Sequence, residues 1–109
     1  MSTITTHVLD VVLGKPAAGI AVRLEWYDSE TWVAVAVSAT DEEGRCRDLA
    51  QNAASGIYRL TFETGGYLAR NGRSSIYPEI LIIFVCVEGS HYHLPLLLSD
   101  NGYTTYRGS

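Results

Sequence analysis

The sequence has little positive charge and no long apolar run. Its single lysine is Lys15, its arginines are scattered, and its net charge is -4. Proteins that bind nucleic acids or membrane surfaces carry clustered basic residues, and no such cluster is present. The most apolar stretch, residues 80–87, has eight residues, whereas a membrane-spanning helix needs about 20. We therefore expect neither nucleic acid nor a membrane as a partner.

Cysteine is equally scarce. Cys46 and Cys86 are the only two cysteines, and their spacing matches neither a Cys-x-x-Cys pair nor a zinc ribbon. We expect two buried free thiols. The first six residues lack the basic start and apolar centre of a secretory signal, and the last three differ from the peroxisomal Ser-Lys-Leu address. These features predict a cytoplasmic protein.

Strand-like segments fill most of the chain. A length of 109 residues with a hydrophobic fraction of 47% indicates one globular domain over residues 1–109. Runs of alternating or β-branched residues recur at regular spacing, at residues 5–13, 20–27, 32–39, 45–49, 56–64, 80–87, 91–98 and 103–107. One short helix is predicted near residues 67–71. The pattern predicts an all-β, two-sheet antiparallel sandwich of seven to eight strands with one short helix.

Three details of this pattern sharpen the expectation. The apolar face of the first strand is assigned to alternate residues, namely His7, Leu9, Val11 and Leu13. The apolar run at residues 80–87 predicts a strand buried on both faces. Pro95 interrupts the run at residues 91–98, which predicts an edge position or a bulge. Open sheet edges invite pairing, so we expect a symmetric oligomer.

The three histidines are candidates for metal ligation or for proton transfer. His91 and His93 lie two apart on one predicted strand, so their side chains point the same way, about 6.6 Å apart along it. With His7 as a third ligand they would resemble a three-histidine zinc site. Three histidines in the whole chain are a weak signal, and each is ordinary as a strand-end or buried residue. We predict no metal and no cofactor.

The end of the chain is its most informative part. An aromatic-rich, strand-like run at residues 103–106 is followed by Arg107 and, two residues later, by Ser109. Terminal segments are usually polar and unpacked. This one predicts an ordered terminus in which the Ser109 carboxylate lies next to the Arg107 guanidinium. The sequence therefore predicts a functional site that is built partly from the chain end.

Five motifs occur in a fixed order along the chain. They are ITTHVLD at residues 4–10, GKPAAG at 14–19, TDEEGR at 40–45, HYHLPLLLS at 91–99 and GYTTYRGS at 102–109. Together they resemble the transthyretin-related proteins, which are 5-hydroxyisourate hydrolases of urate breakdown. The resemblance covers nearly the whole chain and implies a transthyretin-like, or prealbumin-like, sandwich. Asp100 and Asn101 depart from the family's usual proline and aromatic residue, at a turn.

The resemblance also implies a reaction and an assembly. The reaction is hydrolytic opening of the six-membered ring of 5-hydroxyisourate to 2-oxo-4-hydroxy-4-carboxy-5-ureidoimidazoline, and the assembly is a homotetramer, a dimer of dimers. Catalytic roles fall on His7, Arg45, His93 and Ser109. Substrate contacts fall on Arg45, Tyr106, Arg107 and Gly108.

These residue types suit the hydrolysis of an amide. Histidine exchanges protons near neutral pH, and arginine offers planar, paired hydrogen bonds to a urate-like ring and to a developing oxyanion. Either His7 or His93 is the base, and His91 is given no catalytic role.

The alternative function is that of a carrier. Transthyretin shares the sandwich and binds hormone without catalysis, and a fold alone does not decide function. A carrier lacks the set of His7, Arg45 and His93, and it lacks the Arg-Gly-Ser ending. This chain has all of them, which favours the hydrolase over a non-catalytic small-ligand carrier.

Overall fold

The computed structural model describes residues 2–109 as two β-sheets packed face to face, with one short helix between the sixth and seventh strands. The elements, in chain order, are β1 (Thr3–Asp10), β2 (Lys15–Pro16), β3 (Ala21–Asp28), β4 (Thr31–Ala39), β5 (Arg45–Ala50), β6 (Gly56–Phe62), α1 (Thr64–Arg70), β7 (Ile80–Cys86), β8 (His91–Leu98) and β9 (Tyr103–Thr105). Because β2 has only two residues, eight longer strands remain, and the predicted sandwich with one short helix is confirmed.

Strand order places the first and last strands of the chain in the same sheet. The first sheet runs β2-β1-β8-β9, with β5 also paired to β1, and the second runs β4-β3-β6-β7. The β1–β8 pair is parallel, whereas every other pair of strands in the described chain is antiparallel. The sandwich is thus mainly rather than wholly antiparallel. No helix within residues 2–109 is long and apolar enough to span a membrane.

The inward face of β1 is the opposite of the one predicted. Ile4, Thr6, Val8 and Asp10 point into the core and are almost fully buried. His7 and Leu9 lie on the outer face, and the strand ends at Asp10, so that residues 11–13 form an exposed turn. The prediction failed because a buried aspartate counts as polar in an alternation pattern. Here the carboxylate of Asp10 accepts hydrogen bonds from Arg73 and Tyr67, which offset the cost of burying it.

The apolar strand β7 is buried on one face only, which corrects the second expectation. Ile80 and Cys86 are buried, whereas Ile83 and Val85 are 61% and 65% exposed. Because β7 is the edge strand of the second sheet, and no further layer covers its outer face in the described chain, the continuous apolar run does not translate into burial on both sides.

Pro95 marks an interruption inside the first sheet rather than an edge. Strand β8 lies between β1 and β9. Its pairing with the C-terminal segment runs from Leu98 to Leu96, breaks at Pro95 and resumes as a single bridge between His93 and Gly108. Proline has no N–H to donate to that ladder. Because the register between β8 and the C-terminal segment is the same on both sides of the break, Pro95 lies neither at an edge nor in a bulge, and both arms of the prediction are wrong.

The helix begins three residues earlier than predicted. Gly65 and Gly66 lie inside α1. A Cβ on Gly65 would lie 2.5 Å from the carbonyl oxygen of Pro78, so glycine permits the close approach of α1 to that segment. Cys46 and Cys86 are buried free thiols, as predicted.

Candidate functional site

A cavity of about 250 Å³ opens on the outer face of the first sheet. Its lining comes from β1, β5, β8 and the chain end: Thr5, Thr6, Arg45, Arg47, His91, His93 and Ser109. Four of these seven residues are basic, although the chain as a whole carries a net charge of -4. The cavity therefore suits a small ligand rich in hydrogen-bond acceptors.

The parallel register of β1 and β8 brings threonines and histidines together. Thr3 lies opposite His91, and Thr5 lies opposite His93. The Thr5 hydroxyl is hydrogen bonded to Nδ1 of His93 at 2.8 Å, and the Thr3 hydroxyl contacts Nδ1 of His91 in the same way. The two imidazole rings are stacked, with centroids 6.4 Å apart. The side chains therefore share a direction, as the spacing of two residues predicts.

Arg45 reaches the site because a tight turn folds against β1. Gly44 has φ +77°, and a Cβ there would lie 2.4 Å from the carbonyl oxygen of Val8, so the position requires glycine. The Val8 amide donates to the carbonyl of Gly44, and Arg45 then pairs with His7 across β1 and β5. The sequence places the arginine directly after the one residue type that permits this approach.

The guanidinium of Arg45 has unused hydrogen-bonding capacity. Its Nε is buried and has no hydrogen-bond partner among residues 2–109, and no carboxylate of that part of the chain forms an ion pair with it. A buried donor without a partner is costly, but a ligand oxygen does not reach a buried atom. Because Arg45 lines the cavity and has no ion-pair partner among the described residues, its terminal nitrogens are the donors it offers to a planar acceptor.

The chain end is fixed by a backbone bridge. The Gly108 amide donates to the carbonyl of His93 at 2.7 Å, and a Cβ on Gly108 would lie 2.8 Å from Cδ2 of the His93 ring. Glycine is thus needed where the tail crosses the histidine. The bridge brings Ser109, the next residue, into the cavity wall.

Arg107 does not accompany Ser109, which corrects the expected pairing of that guanidinium with the terminal carboxylate. Its guanidinium lies over the ring of Tyr92, 4.4 Å from the ring centroid, and donates to the carbonyl of His91. A carbonyl and an aromatic face on neighbouring β8 are closer partners for the side chain than a carboxylate two residues along an extended tail. Arg107 therefore anchors the tail to β8.

His93 is surrounded by groups that disfavour its charged form. Burial lowers the pKa of His93, and the nearby positive charges of His7, His91 and Arg45 lower it further. The ring is therefore neutral at neutral pH, with one nitrogen able to accept a proton. The nitrogen not bound to Thr5, Nε2, has no partner among residues 2–109.

The remaining candidates lie around the cavity rather than in its wall. His7 is bonded through Nε2 to the carbonyl of Glu43 at 2.8 Å. Tyr106, Arg107 and Gly108 are not among the lining residues, and Tyr106 is 53% exposed. Across residues 2–109, no three histidine, cysteine or acidic side chains form a group that could hold a metal ion.

Sequence reasoning missed four residues of the wall. Thr5, Thr6 and Arg47 line the cavity, and so does His91, which was given no role. The alternation Thr-x-Thr-x-His in β1 was the sequence signal for Thr5. The pairing of Thr5 with His93, however, depends on a parallel register between two strands, and the two residues are 88 positions apart in the sequence. Alternation within one strand does not contain that information.

The chain is similar throughout its length to known proteins. Residues 4–108 of this chain match the protein family that is described as the HIUase/Transthyretin family. The 5-hydroxyisourate hydrolase of Caulobacter vibrioides is 42% identical, in an alignment that covers 100% of both chains. The structure of Klebsiella pneumoniae 5-hydroxyisourate hydrolase is 40% identical, with a TM-score of 0.90 and 100% of both chains covered.

The backbone is also similar to that of a transthyretin. The crystal structure of transthyretin from Sparus aurata matches with a TM-score of 0.93 at 30% identity, covering 97% of this chain and 96% of that one. Since the backbone matches both kinds of protein closely, the side chains of the cavity must separate them.

Proposed function

The chain belongs to the HIUase/transthyretin family, and on that premise we propose that it hydrolyses 5-hydroxyisourate in the degradation of urate. The reaction opens the six-membered ring to 2-oxo-4-hydroxy-4-carboxy-5-ureidoimidazoline. The observation that carries the proposal is the meeting of Arg45, His93 and Ser109 around one cavity on the outer face of the first sheet. A ligand carrier has no need for a neutral, partly buried histidine beside an unpartnered arginine.

Arg45 is proposed as the substrate-binding and charge-stabilising residue. The substrate is a flat ring system rich in carbonyl oxygens, and a guanidinium presents donors in the same plane. Arg45 lines the cavity and forms no ion pair within residues 2–109, so its terminal nitrogens remain available to a bound carbonyl oxygen. When water adds to the amide carbon, negative charge develops on that oxygen, and Arg45 stabilises it.

His93 is proposed as the group that moves the proton. It removes a proton from water as the water oxygen bonds to the amide carbon, and it returns a proton to the ring nitrogen as the carbon–nitrogen bond breaks. The proton count balances, because the water supplies one hydrogen to the ring nitrogen and its oxygen to the new carboxyl group, which releases the second hydrogen to solvent as a proton. The Ser109 carboxylate, which shares the cavity wall, orients the water or the imidazolium.

His7 is the weaker candidate for the base. It does not line the cavity, and its Nε2 is occupied by the carbonyl of Glu43. That bond ties β1 to the turn that carries Arg45, so we propose that His7 assists proton transfer mainly by fixing this turn and by depressing the pKa of His93. Arg107 and Gly108 hold Ser109 in place, whereas Tyr106 is proposed to reach substrate across a subunit interface.

We propose a homotetramer, a dimer of dimers. The support is an open edge at β7 in the second sheet and at β9 in the first, together with the exposed apolar turn at residues 11–13. Light scattering is expected to give a mass about four times 11.9 kDa. A stable monomer with full activity would contradict this assembly. A cytoplasmic location is also proposed, supported by the two unpaired thiols, and cell fractionation tests it.

The deciding experiment is a spectroscopic assay. A urate oxidase generates 5-hydroxyisourate in place, and its decay is followed with and without this protein. We expect acceleration over the spontaneous decay, and we expect Arg45→Met to lower kcat/KM by about 10²- to 10³-fold, the cost of losing one oxyanion donor.

Arg23→Met is the matched control for that variant. Arg23 is on β3 in the other sheet, paired with Glu63 on the protein surface, so this variant should match the wild type. No acceleration by a correctly folded protein, combined with tight binding of urate-like ligands, would favour the carrier instead.

A further inference from the structure

Two threonine–histidine pairs lie side by side on the outer face of the first sheet. Because β1 and β8 run parallel in register, Thr5 faces His93 and Thr3 faces His91. Each hydroxyl contacts Nδ1 of its histidine. Only the Thr5–His93 pair has both of its members in the cavity wall, since Thr3 is not a lining residue.

The partner of Nδ1 influences which nitrogen of a neutral histidine carries the hydrogen. A hydroxyl can accept a hydrogen bond from Nδ1–H, which leaves the lone pair on Nε2, or donate one to Nδ1, which places the hydrogen on Nε2. Only the first arrangement lets Nε2 take a proton from water. A carboxylate at the position of the Thr5 hydroxyl would also accept a hydrogen bond from Nδ1–H, but it would in addition stabilise the imidazolium and raise the pKa of the ring. A threonine orients the ring without adding charge, which agrees with the lowered pKa of His93.

We propose that Thr5 is a positioning residue that holds His93 as its Nδ1–H tautomer and so leaves the Nε2 lone pair free to accept a proton from the attacking water. The inference rests on the proposed hydrolysis and deepens it, because it assigns the two nitrogens of the ring different tasks. Thr5 acts through His93.

A purely structural role does not account for Thr5. Its neighbour Thr6 points to the opposite face, is 1% exposed and donates its hydroxyl to the carbonyl of Leu94, which links β1 to β8 inside the core. Thr5 is half-buried on the outer face, and its side chain bonds only to His93 in the described chain. The backbone ladder between β1 and β8 runs over eight residue pairs without its help.

The test compares three variants. Thr5→Val keeps the shape and removes the hydroxyl, Thr5→Ser keeps the hydroxyl, and Thr3→Val is the matched control that removes the other threonine–histidine contact. We expect Thr5→Val to lower kcat by about 10- to 100-fold, in the range seen when the orienting partner of a functional histidine is lost, with little change in KM. Thr5→Ser should restore most of kcat, and Thr3→Val should retain most of it.

Nitrogen-15 NMR of the imidazoles gives a readout that is independent of turnover. The chain has three histidines, so single His→Gln variants assign every ring. The wild-type ring of His93 is expected as the Nδ1–H tautomer at neutral pH, and Thr5→Val should shift it towards Nε2–H.

Two results would overturn the inference. They are an Nε2–H tautomer in the folded wild type, or a Thr5→Val protein with unchanged kcat. If the proposed hydrolysis is wrong, the wild-type protein will show no turnover in the assay. The tautomer of His93 can still be measured in that case. This measurement on the wild type does not depend on whether a variant at position 5 folds.

Discussion

Replacing His93 by Ala is expected to lower kcat by about 10²- to 10⁴-fold, which is the usual contribution of a positioned acid–base group. The side chain lies on the outer face of β8, and its removal leaves the backbone bridge between His93 and Gly108 available. We therefore expect the melting temperature to change little while turnover is lost. Steady-state kinetics on 5-hydroxyisourate, with circular dichroism on the same samples, checks both parts.

His93→Gln separates proton transfer from hydrogen bonding. Glutamine retains a side-chain amide that can bond to the Thr5 hydroxyl, but it does not exchange protons near neutral pH. We expect it to be about as inactive as the alanine variant. A glutamine variant with near wild-type kcat would mean that His93 only positions the substrate, and the base would then have to be sought at His7.

The pH dependence of the wild-type enzyme gives a third check on His93. Its surroundings carry the charged or titratable groups His7 on β1, Arg45 and Arg47 on β5, His91 on β8 and the Ser109 carboxylate. Burial, then the positive neighbours, lowers the pKa of His93 below its ordinary value of 6.5. A base works when deprotonated, so the acid limb of kcat/KM should be centred below pH 6.5. An acid limb centred above pH 6.5 would contradict this assignment.

The architecture could be predicted from the sequence because the alternation of residues in strands and the residue preferences of turns are local properties of the chain. Gly44 illustrates this, since a glycine before Arg45 marks a tight turn in both the motif and the structure. The apolar run of β7 shows the limit of local reasoning. Alternation tells which residues share a face, but it does not tell whether a second layer covers that face. In the described chain, no second layer covers the outer face of the edge strand β7.

The site was predicted in part, through its motifs. Arg45, His93 and Ser109 were predicted from the resemblance and do meet around one cavity. The positions of Arg107 and Thr5 were not predictable, because each depends on a contact between distant segments. Arg107 packs on the ring of Tyr92 and not against Ser109, and Thr5 lies opposite His93 because β1 and β8 pair in parallel. The first of these was mispredicted from nearness in sequence.

Asp10 is the clearest case in which long-range contacts override the sequence pattern. Its carboxylate is fully buried at the end of β1, yet four residues donate hydrogen bonds to it. Arg73 approaches at 2.5 Å, the Tyr67 hydroxyl donates at 2.7 Å, and the amides of Val12 and Leu13 donate at 3.1 Å. These bonds lower the pKa of Asp10 to about 2 despite its burial, and the carboxylate raises the pKa of Tyr67 to about 12, an effect that adds to burial of that phenol.

Arg73 connects this buried carboxylate to the turn before the last strand. The same guanidinium binds Asp100 at 2.6 Å, two residues before Gly102, where the C-terminal motif starts. Through β9 the turn leads to Gly108 and Ser109, so the network supports the segment that closes the cavity. Removing Arg73 should therefore affect stability first and the position of Ser109 second.

Arg73→Met is expected to lower the free energy of unfolding by about 3–5 kcal/mol, because it leaves a buried charge without its main partner. Denaturant unfolding at one fixed protein concentration measures this, since stability of an oligomer depends on concentration. Arg70→Met is the matched control. Arg70 is an exposed residue of α1 that bonds only to the carbonyl of Gly19 in the described chain, and its loss should cost less than about 1 kcal/mol.

The stability lost in Arg73→Met should itself depend on pH. A carboxylate whose pKa falls from 3.8 to about 2 on folding contributes about 2 kcal/mol of stability. That contribution is fully present above the unfolded value and is lost as pH falls through the folded one. The gap between wild type and Arg73→Met should thus be constant from pH 7 to 5 and narrow between pH 4 and 2. A gap independent of pH down to 2 would show that Arg73 stabilises the fold through packing and not through the charge of Asp10.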